Sequence, residues 1–207
     1  MIYSLSEIDA QCKKAARGAG FEWGHSEEAG KAARWMAAMQ LPGVILLAEY
    51  LLNYSKHPEQ YQAPLPTENT SESSLCPIVT GACICDGLIE FEDYVLRLDQ
   101  VAYPLLLARS VAMMSKQRQL TLVLSWEGTR IIFAQGRIQL LEQSNLNVSQ
   151  ANQVTCENIV DGVNEQGQLA GSFGQFVDDL HWQALAELAH HTYVPATEES
   201  RLGAGPS

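Results

Sequence analysis

This sequence lacks long hydrophobic runs and the pattern of a secretory signal. No stretch approaches the ~20 apolar residues that a membrane-spanning helix needs. The longest candidates, residues 44–52 and 101–114, are short or interrupted by a charge. Polar residues follow Met1 where a signal peptide would have a basic flank and an apolar core. We therefore expect a cytoplasmic protein that does not span a membrane.

Positive charge is also scarce. The chain has 13 Lys and Arg residues against 24 Asp and Glu residues, which gives a formal net charge of −11. This charge would repel a nucleic-acid backbone and an anionic membrane surface, so neither is expected as a partner. The first 34 residues depart from the trend, because they hold five acidic and five basic residues. This segment indicates either two solvated helix faces or a local anion site.

Cysteines are few, and their number is odd. Five cysteines without an export signal argue against a disulfide framework. Cys83 and Cys85 are separated by a single residue, whereas zinc or redox motifs use spacers of two or more residues. We therefore expect reduced, buried thiols, with no metal site and no cofactor.

The familiar catalytic motifs are missing as well. The sequence has no phosphate loop, no Gly-x-Ser-x-Gly and no His-Glu-x-x-His. Gly18 and Gly20 begin a dinucleotide fingerprint, but Gly24 falls one position late and a predicted helix precedes it. Motifs therefore assign no catalytic residue.

The N-terminal part of the sequence has the pattern of three helices. Ser4 predicts the N-cap of the first helix, with Glu7 closing a capping box and residues 18–20 ending it. Ser26 predicts the N-cap of the second helix. Residues 43–53 predict a third helix that is apolar nearly all round.

The first two helices carry stripes of small residues. Ala15 and Ala16 recur in the first helix, and Ala32 and Ala33 recur in the second. Because alanine does not hold helices apart, we expect these two helices to pack closely through the four alanines.

The remainder of the sequence is polar at first and then rich in strand patterns. Residues 54–74 predict a long surface loop. Residues 101–119 predict a helix, and Asp178 or Asp179 predicts the N-cap of a last helix. Strands are predicted at residues 77–80, 82–85, 94–98, 120–126, 130–134, 137–141 and 154–160.

These patterns predict an α+β fold in which N-terminal helices precede a mostly antiparallel sheet with covering helices. We expect residues 1–207 to form a single domain. Within it we distinguish a helical part at about 1–53, a polar loop at about 54–74 and a mixed, β-rich part at about 75–207.

Several blocks of this sequence form a recognisable pattern. The blocks are Ala15-Ala16-Arg17-Gly18-Ala19-Gly20, Trp23-Gly24, residues 27–35 and residues 192–201. They resemble a bacterial family known as domain of unknown function 3726. Since the blocks lie at both ends, the resemblance is expected over essentially the whole chain. It implies a bacterial cytoplasmic protein of about this size, and it supplies no established activity, cofactor or catalytic residue.

The C-terminal tail is dense in hydrogen-bonding groups, and the N-terminal helices carry a basic cluster. We expect the tail to fold back onto these helices and form a binding surface, bordered by Trp23 and His25. A frayed, solvated tail is the alternative. The candidate binding residues are Arg17, Trp23, His25, Lys31, Arg34, Tyr193, Thr197, Glu198, Glu199, Ser200 and Arg201.

Two classes of function fit this surface. The first is an accessory or binding protein for a small anionic metabolite or an enzyme partner. The second is a stand-alone enzyme acting on a small organic acid, with Glu198 or Glu199 as general base and Arg17, Lys31 or Arg34 as substrate clamps. A homo-oligomer is a further alternative, and the sequence does not discriminate among these.

Overall fold

A short strand and three helices open the chain. The computed structural model describes residues 1–64, 73–89, 94–134, 136–159 and 171–192. The first elements are strand β1 (Ile2–Ser4) and helices α1 (Leu5–Gly18), α2 (Trp23–Ala38) and α3 (Gly43–Lys56). The predicted capping box is confirmed, since Glu7 N donates to Ser4 Oγ (3.3 Å) and Ser4 N donates to Glu7 Oε2 (2.8 Å).

The rest of the described chain alternates between strands and helices. Its elements are β2 (Tyr61–Gln62), β3 (Ser74–Leu75), α4 (Pro77–Asp86), β4 (Val95–Ala102), α5 (Ala108–Arg118), β5 (Thr121–Trp126), β6 (Thr129–Ala134), β7 (Arg137–Gln143), β8 (Gln150–Ile159), β9 (Gly174–Phe176) and α6 (Asp179–His190). Short 3₁₀ turns occupy Pro58–Gln60 and Pro104–Leu107.

Seven of the described strands form one mixed sheet, and β1 and β9 form a separate antiparallel pair. The order of the large sheet is β2-β3-β4-β8-β5-β6-β7, parallel between β2, β3 and β4 and antiparallel elsewhere. Buried side chains from the helices and the sheet form one hydrophobic core cluster. The predicted α+β class is confirmed. None of the described helices is both long and apolar enough to cross a membrane.

Helix α2 begins at Trp23, four residues before the start that an N-cap at Ser26 predicts. Its N-cap is Glu22, and Ser26 is fully buried inside the helix. Ser26 Oγ donates to the carbonyl oxygen of Glu22 over 2.9 Å. A serine can satisfy its hydroxyl in this way within a helix, so the prediction of Ser26 as N-cap is wrong. His25 consequently lies within the first turn of α2 rather than before it.

Helices α1 and α2 do pack on each other, but one of the four predicted alanines faces elsewhere. Ala15, Ala16 and Ala33 are fully buried, as expected. Ala32 instead borders a small cavity with residues of α3, α4 and α5, so its place in the α1–α2 contact is wrong. Gly30 supplies the close approach, because a Cβ there would lie 2.8 Å from Asp9 O.

The two short strands predicted at residues 77–80 and 82–85 are wrong, because this segment is helix α4. Pro77 occupies the first turn, where its missing N–H costs nothing, and Gly87 ends the helix in the left-handed region with φ 70°. Short apolar runs do not separate strand from helix by periodicity alone. Cys83 and Cys85 therefore project from different sides of a helix.

The helix predicted for residues 101–119 is wrong in its first part. Val101 and Ala102 end strand β4, and α5 starts only at Ala108 after a 3₁₀ turn. Tyr103 stands between them in the left-handed region, with φ 43°. A residue before proline is disfavoured in the α region, which separates strand from helix here.

The long loop predicted for residues 54–74 is only partly correct. Helix α3 extends to Lys56, and β2 and β3 take up residues inside the predicted loop. Residues 65–72 lie outside the described residues. The strand patterns at 94–98, 120–126, 130–134, 137–141 and 154–160 are confirmed as parts of β4 to β8, with boundaries shifted by a few residues.

Asp178 caps α6, which confirms one of the two predicted alternatives. His181 N donates to Asp178 Oδ1 over 3.0 Å. This backbone hydrogen bond, with the His181 side chain, holds the pKa of Asp178 below its ordinary value. The Nδ1 atom of the His181 ring contacts Asp178, and its Nε2 atom lies 3.4 Å from Glu49 Oε1. His181 therefore links α6 to α3.

We expect Asp178→Ala to lower the free energy of unfolding by about 1 kcal/mol at neutral pH, because a cap is lost. Asp178→Asn keeps a capping oxygen and should cost clearly less. The pKa of Asp178 is lower in the folded than in the unfolded chain. The contribution of its carboxylate to the free energy of unfolding is therefore complete above the unfolded pKa and is lost as the pH falls through the folded pKa. Urea unfolding of the two variants at several pH values checks this, and equal losses for Ala and Asn would contradict it.

Candidate functional site

The three predicted substrate clamps of the N-terminal helices each lie beside a carboxylate. Arg17 Nη1 donates to Phe21 O over 2.8 Å and lies 3.7 Å from Glu22 Oε2. Lys31 Nζ lies 2.8 Å from Glu28 Oε1, and Arg34 Nη1 lies 3.6 Å from Asp9 Oδ2. This pairing balances much of the positive charge locally and favours the alternative of solvated, ion-paired helix faces.

The other predicted binding residues are separated in what can be described. Trp23 is 60% exposed under Lys13, whose Nζ lies 5.7 Å from the centroid of the ring. His25 is half-buried in the first turn of α2. Tyr193, Thr197, Glu198, Glu199, Ser200 and Arg201 lie outside the described residues, so the expected contact between the tail and the N-terminal helices stays a prediction.

A larger cavity of about 590 Å³ lies between α5 and the β6–β7 hairpin, and we call it the α5 groove. Three cations line it: Arg109, Lys116 and Arg137. The other described lining residues are Trp35, Ala112, Met113, Ser115, Gln117, Phe133, Ala134, Gly136 and Ile138. No Asp or Glu occurs among the described lining residues. The described lining of the groove is therefore positively charged, although the chain as a whole is acidic.

Two of these cations have no ion-pair partner in the part of the chain that the structure describes. No carboxylate oxygen in the described ranges lies within salt-bridge distance of Lys116 or Arg137. Both side chains belong to exposed residues at the mouth of the groove. Their charges therefore remain available to an anion from solution.

A buried hydroxyl connects the two walls of the groove. Ser115 Oγ lies 2.7 Å from Leu120 O and 2.9 Å from Phe133 O, which fastens the last turn of α5 to β6. Lys116 follows Ser115, and Arg137 pairs with Ala134 across the hairpin turn. Lys116 and Arg137 therefore lie at the same end of the groove.

Arg109 stands at the other end of α5 and is held by helix α2. Its side chain is only 12% exposed, and Nη1 donates to Glu28 Oε2, while Lys31 binds the other oxygen of Glu28. Burial alone would raise the pKa of Glu28, but the hydrogen bonds from Lys31 and Arg109 outweigh it and hold the pKa below its ordinary value. A guanidinium has five N–H donors, so Arg109 keeps donors for the groove.

Two other cavities are of similar size but differ in charge. One, of about 450 Å³, is bordered by both Arg97 and Asp99. The other, of about 470 Å³, is bordered by Glu127 and has no cation among its described lining residues. Neither therefore combines several cations with a lining free of Asp and Glu among its described residues.

The cysteines are packed as small hydrophobic residues. All five thiols are free, and four of them are buried. Burial raises the pKa of Cys156 to about 12 and raises the pKa of Cys12 further. It also raises the pKa of Cys76, although Tyr50 OH donates to this sulfur over 3.0 Å. Thiols that stay protonated are poor nucleophiles, so their chemistry does not define a site.

Sequence reasoning missed the α5 groove because its residues come from three separate segments. Trp35 belongs to α2, Arg109 and Lys116 to α5, and Arg137 to β7. One signal was present in the sequence. Arg109 interrupts the apolar stretch of residues 101–114, and a charge inside such a stretch needs a partner when it is buried.

Comparison with known proteins supports the resemblance seen in the N-terminal blocks. No curated protein and no solved structure matches this chain. The predicted likeness of residues 192–201 lies outside the matched region and stays a prediction. Residues 3–81, which run from β1 into α4, match the family described as a protein of unknown function, DUF3726.

Proposed function

We propose that this protein binds a small anionic metabolite in the α5 groove. The observation that carries the proposal is the accumulation of three cations around one cavity of about 590 Å³ in a chain of net charge −11. Binding pockets of small molecules commonly have volumes of about 300–1,000 Å³, with mostly apolar walls and a few polar groups. Cations in a partly desolvated cavity also bind anions more strongly than cations on an open surface.

The composition of the groove supports binding rather than catalysis. General acid–base chemistry needs a proton-transfer group within hydrogen-bond reach of the substrate. The described lining residues include no Asp, Glu, His or Cys, and the hydroxyl of Ser115 already donates to a backbone carbonyl. The enzyme alternative would depend on Glu198 or Glu199, which lie outside the described residues.

Removing the two available cations should abolish most of the anion binding. We expect Lys116→Gln with Arg137→Gln to weaken binding by about tenfold or more per cation, since a hydrogen bond to a charged group contributes about 1.5–3 kcal/mol. Titration calorimetry with inorganic phosphate, pyrophosphate, benzoate and phenyl phosphate measures this. Binding by the native chain should also weaken with added salt.

The matched control removes the same charge elsewhere. Lys56 and Arg130 are exposed and do not line the groove. Lys56→Gln with Arg130→Gln should leave the affinity within about twofold of the native value. If none of the four anions binds, or if the control variant loses as much affinity, the proposal is wrong.

A second candidate function is docking on a protein partner. Ile2 and Phe176 face each other across the β1–β9 pair and are 75% and 66% exposed, and Leu180 nearby is 75% exposed. Residues 1–12 and 171–192, which carry this surface, contain no Lys or Arg. These segments contain Asp and Glu, so a second copy of this chain would bring negative charges together. We therefore propose a partner segment that combines apolar and basic side chains.

Carbodiimide crosslinking tests this docking surface in the presence of a co-purified protein. We expect Asp178 or Asp179 to crosslink to a lysine of the partner, and Ile2→Ser with Phe176→Ser to abolish the crosslink. Leu141→Ser, an exposed apolar position on β7, is the matched control and should keep it. Crosslinks to a second copy of the chain, or to other surfaces only, would contradict this candidate.

A further inference from the structure

We infer that the ligand of the α5 groove is an aromatic acid, in which a flat apolar ring carries one carboxylate or phosphate group. This inference rests on the proposed function and specifies its ligand class. It distinguishes such an acid from a compact inorganic anion, for which the same cations would be sufficient.

The side chains of α5 that line the groove follow a definite order along the helix. Arg109, Ala112, Met113 and Lys116 all line the groove, and their spacing of three, four and seven residues places them on one face of the helix. The stripe therefore has a cation at each end and two apolar side chains between them. Seven residues of helix span about 10 Å along the axis, so the two cations mark opposite ends of the stripe.

The three cations of the groove differ in whether a carboxylate already binds them. Arg109 is already bound by Glu28, whereas Lys116 and Arg137 have no carboxylate partner in the described ranges. They also lie at the same end of the groove, because Ser115 binds Phe133 O and Arg137 pairs with Ala134. The anionic group of the ligand therefore binds between Lys116 and Arg137.

Apolar side chains line the groove beyond the end that holds Lys116 and Arg137. Trp35, Met113, Phe133 and Ile138 contribute apolar surface to the same cavity. Aromatic rings favour offset-stacked or edge-to-face contact with other rings, and the half-buried indole of Trp35 offers such a contact. A ring attached to the bound anion would extend over Ala112 and Met113 toward this indole.

The volume of the groove also disfavours a compact anion. Liquid water occupies about 30 Å³ per molecule, so a cavity of about 590 Å³ around a bound phosphate would stay largely filled with water. Water screens the attraction between the anion and its cations. A ring that displaces this water strengthens the charge contacts and buries apolar surface as well.

Paired probes test the inference, since each pair shares an acidic group and differs in the ring. We expect phenyl phosphate to bind at least tenfold more tightly than inorganic phosphate, and benzoate more tightly than acetate, by calorimetry at constant pH and ionic strength. Trp35→Phe should keep this advantage, because it keeps a ring. Trp35→Leu should reduce the advantage, with inorganic phosphate affinity unchanged.

Two further variants guard against a folding defect and an unrelated aromatic contact. Met113→Gln places a polar group in the middle of the stripe and should weaken phenyl phosphate several-fold. Tyr94→Leu, at an exposed aromatic residue outside the groove, should change nothing. Equal affinity for phenyl phosphate and inorganic phosphate at the groove would overturn the inference and leave the proposed function standing. Failure of every anion to bind would overturn both.

Discussion

Gly18→Ala is expected to lower the free energy of unfolding by about 3 kcal/mol, at the upper end of the usual cost of overpacking. Gly18 is the last residue of α1, and a Cβ added there would overlap the carbonyl oxygen of Leu188 in α6. The obstacle is backbone, which cannot rotate away as a side chain can. Helices α1 and α6 would have to separate, and the buried residues Leu185 and Leu188 would lose contacts.

The matched control is Gly24→Ala in the first turn of α2. A Cβ at Gly24 meets nothing within 4 Å, so this change should be neutral or stabilising by up to about 1 kcal/mol. Urea unfolding followed by circular dichroism measures both variants. A Gly18→Ala chain as stable as the native chain would contradict the close approach of α1 to α6.

Glu28→Gln is expected to lower the free energy of unfolding by about 2 kcal/mol at neutral pH. Breaking a buried ion pair costs about 3–5 kcal/mol when the remaining charge is buried without compensation. Arg109 is such a charge, but Glu28 is 38% exposed, so solvent screening reduces the effect. Glu27 Oε2 lies 3.9 Å from Nζ of Lys31, the lysine that also binds Glu28, but Glu27 does not pair with Arg109. Glu27→Gln should therefore change the free energy of unfolding by less than about 0.5 kcal/mol.

The effect of Glu28→Gln should depend on pH in one direction. The pKa of Glu28 is lower in the folded than in the unfolded chain. The stabilisation that the Glu28 carboxylate gives to the folded chain is therefore complete above the ordinary pKa of 4.5 and is lost as the pH falls through the folded pKa. The difference in stability between native and variant chains should therefore shrink on acidification. A difference that grows toward low pH, or a Glu27→Gln variant that is equally destabilised, would refute this role of the pair.

The parts of the fold that were predicted correctly depend on local signals. Ser4 and Glu7 form a cap within four residues, and the alternation in residues 120–126 is a local pattern that predicts strand β5. The parts that were wrong depend on distant contacts. Residues 77–86 are apolar enough for either element, and packing of α4 against α5 decides for a helix.

The α5 groove could not be predicted for a related reason. Its charge excess arises because the fold places Arg109 and Lys116 of α5 and Arg137 of β7 around one cavity, with no Asp or Glu among the described lining residues. Net charge along the sequence drew attention to the N-terminal segment, where ion pairs with Asp9, Glu22 and Glu28 balance the basic residues. Counting charges locates a cluster in sequence but does not show which charges are already paired.

The position of β8 in the sheet sets an order of events during synthesis on the ribosome. Strands β5, β6 and β7 follow one another and can pair as they emerge, but β8 comes after all of them and lies between β4 and β5. Until residues 150–159 have been translated, β4 and β5 each keep an open edge that can capture another nascent chain. Any fragment that stops before this strand lacks the middle of its sheet.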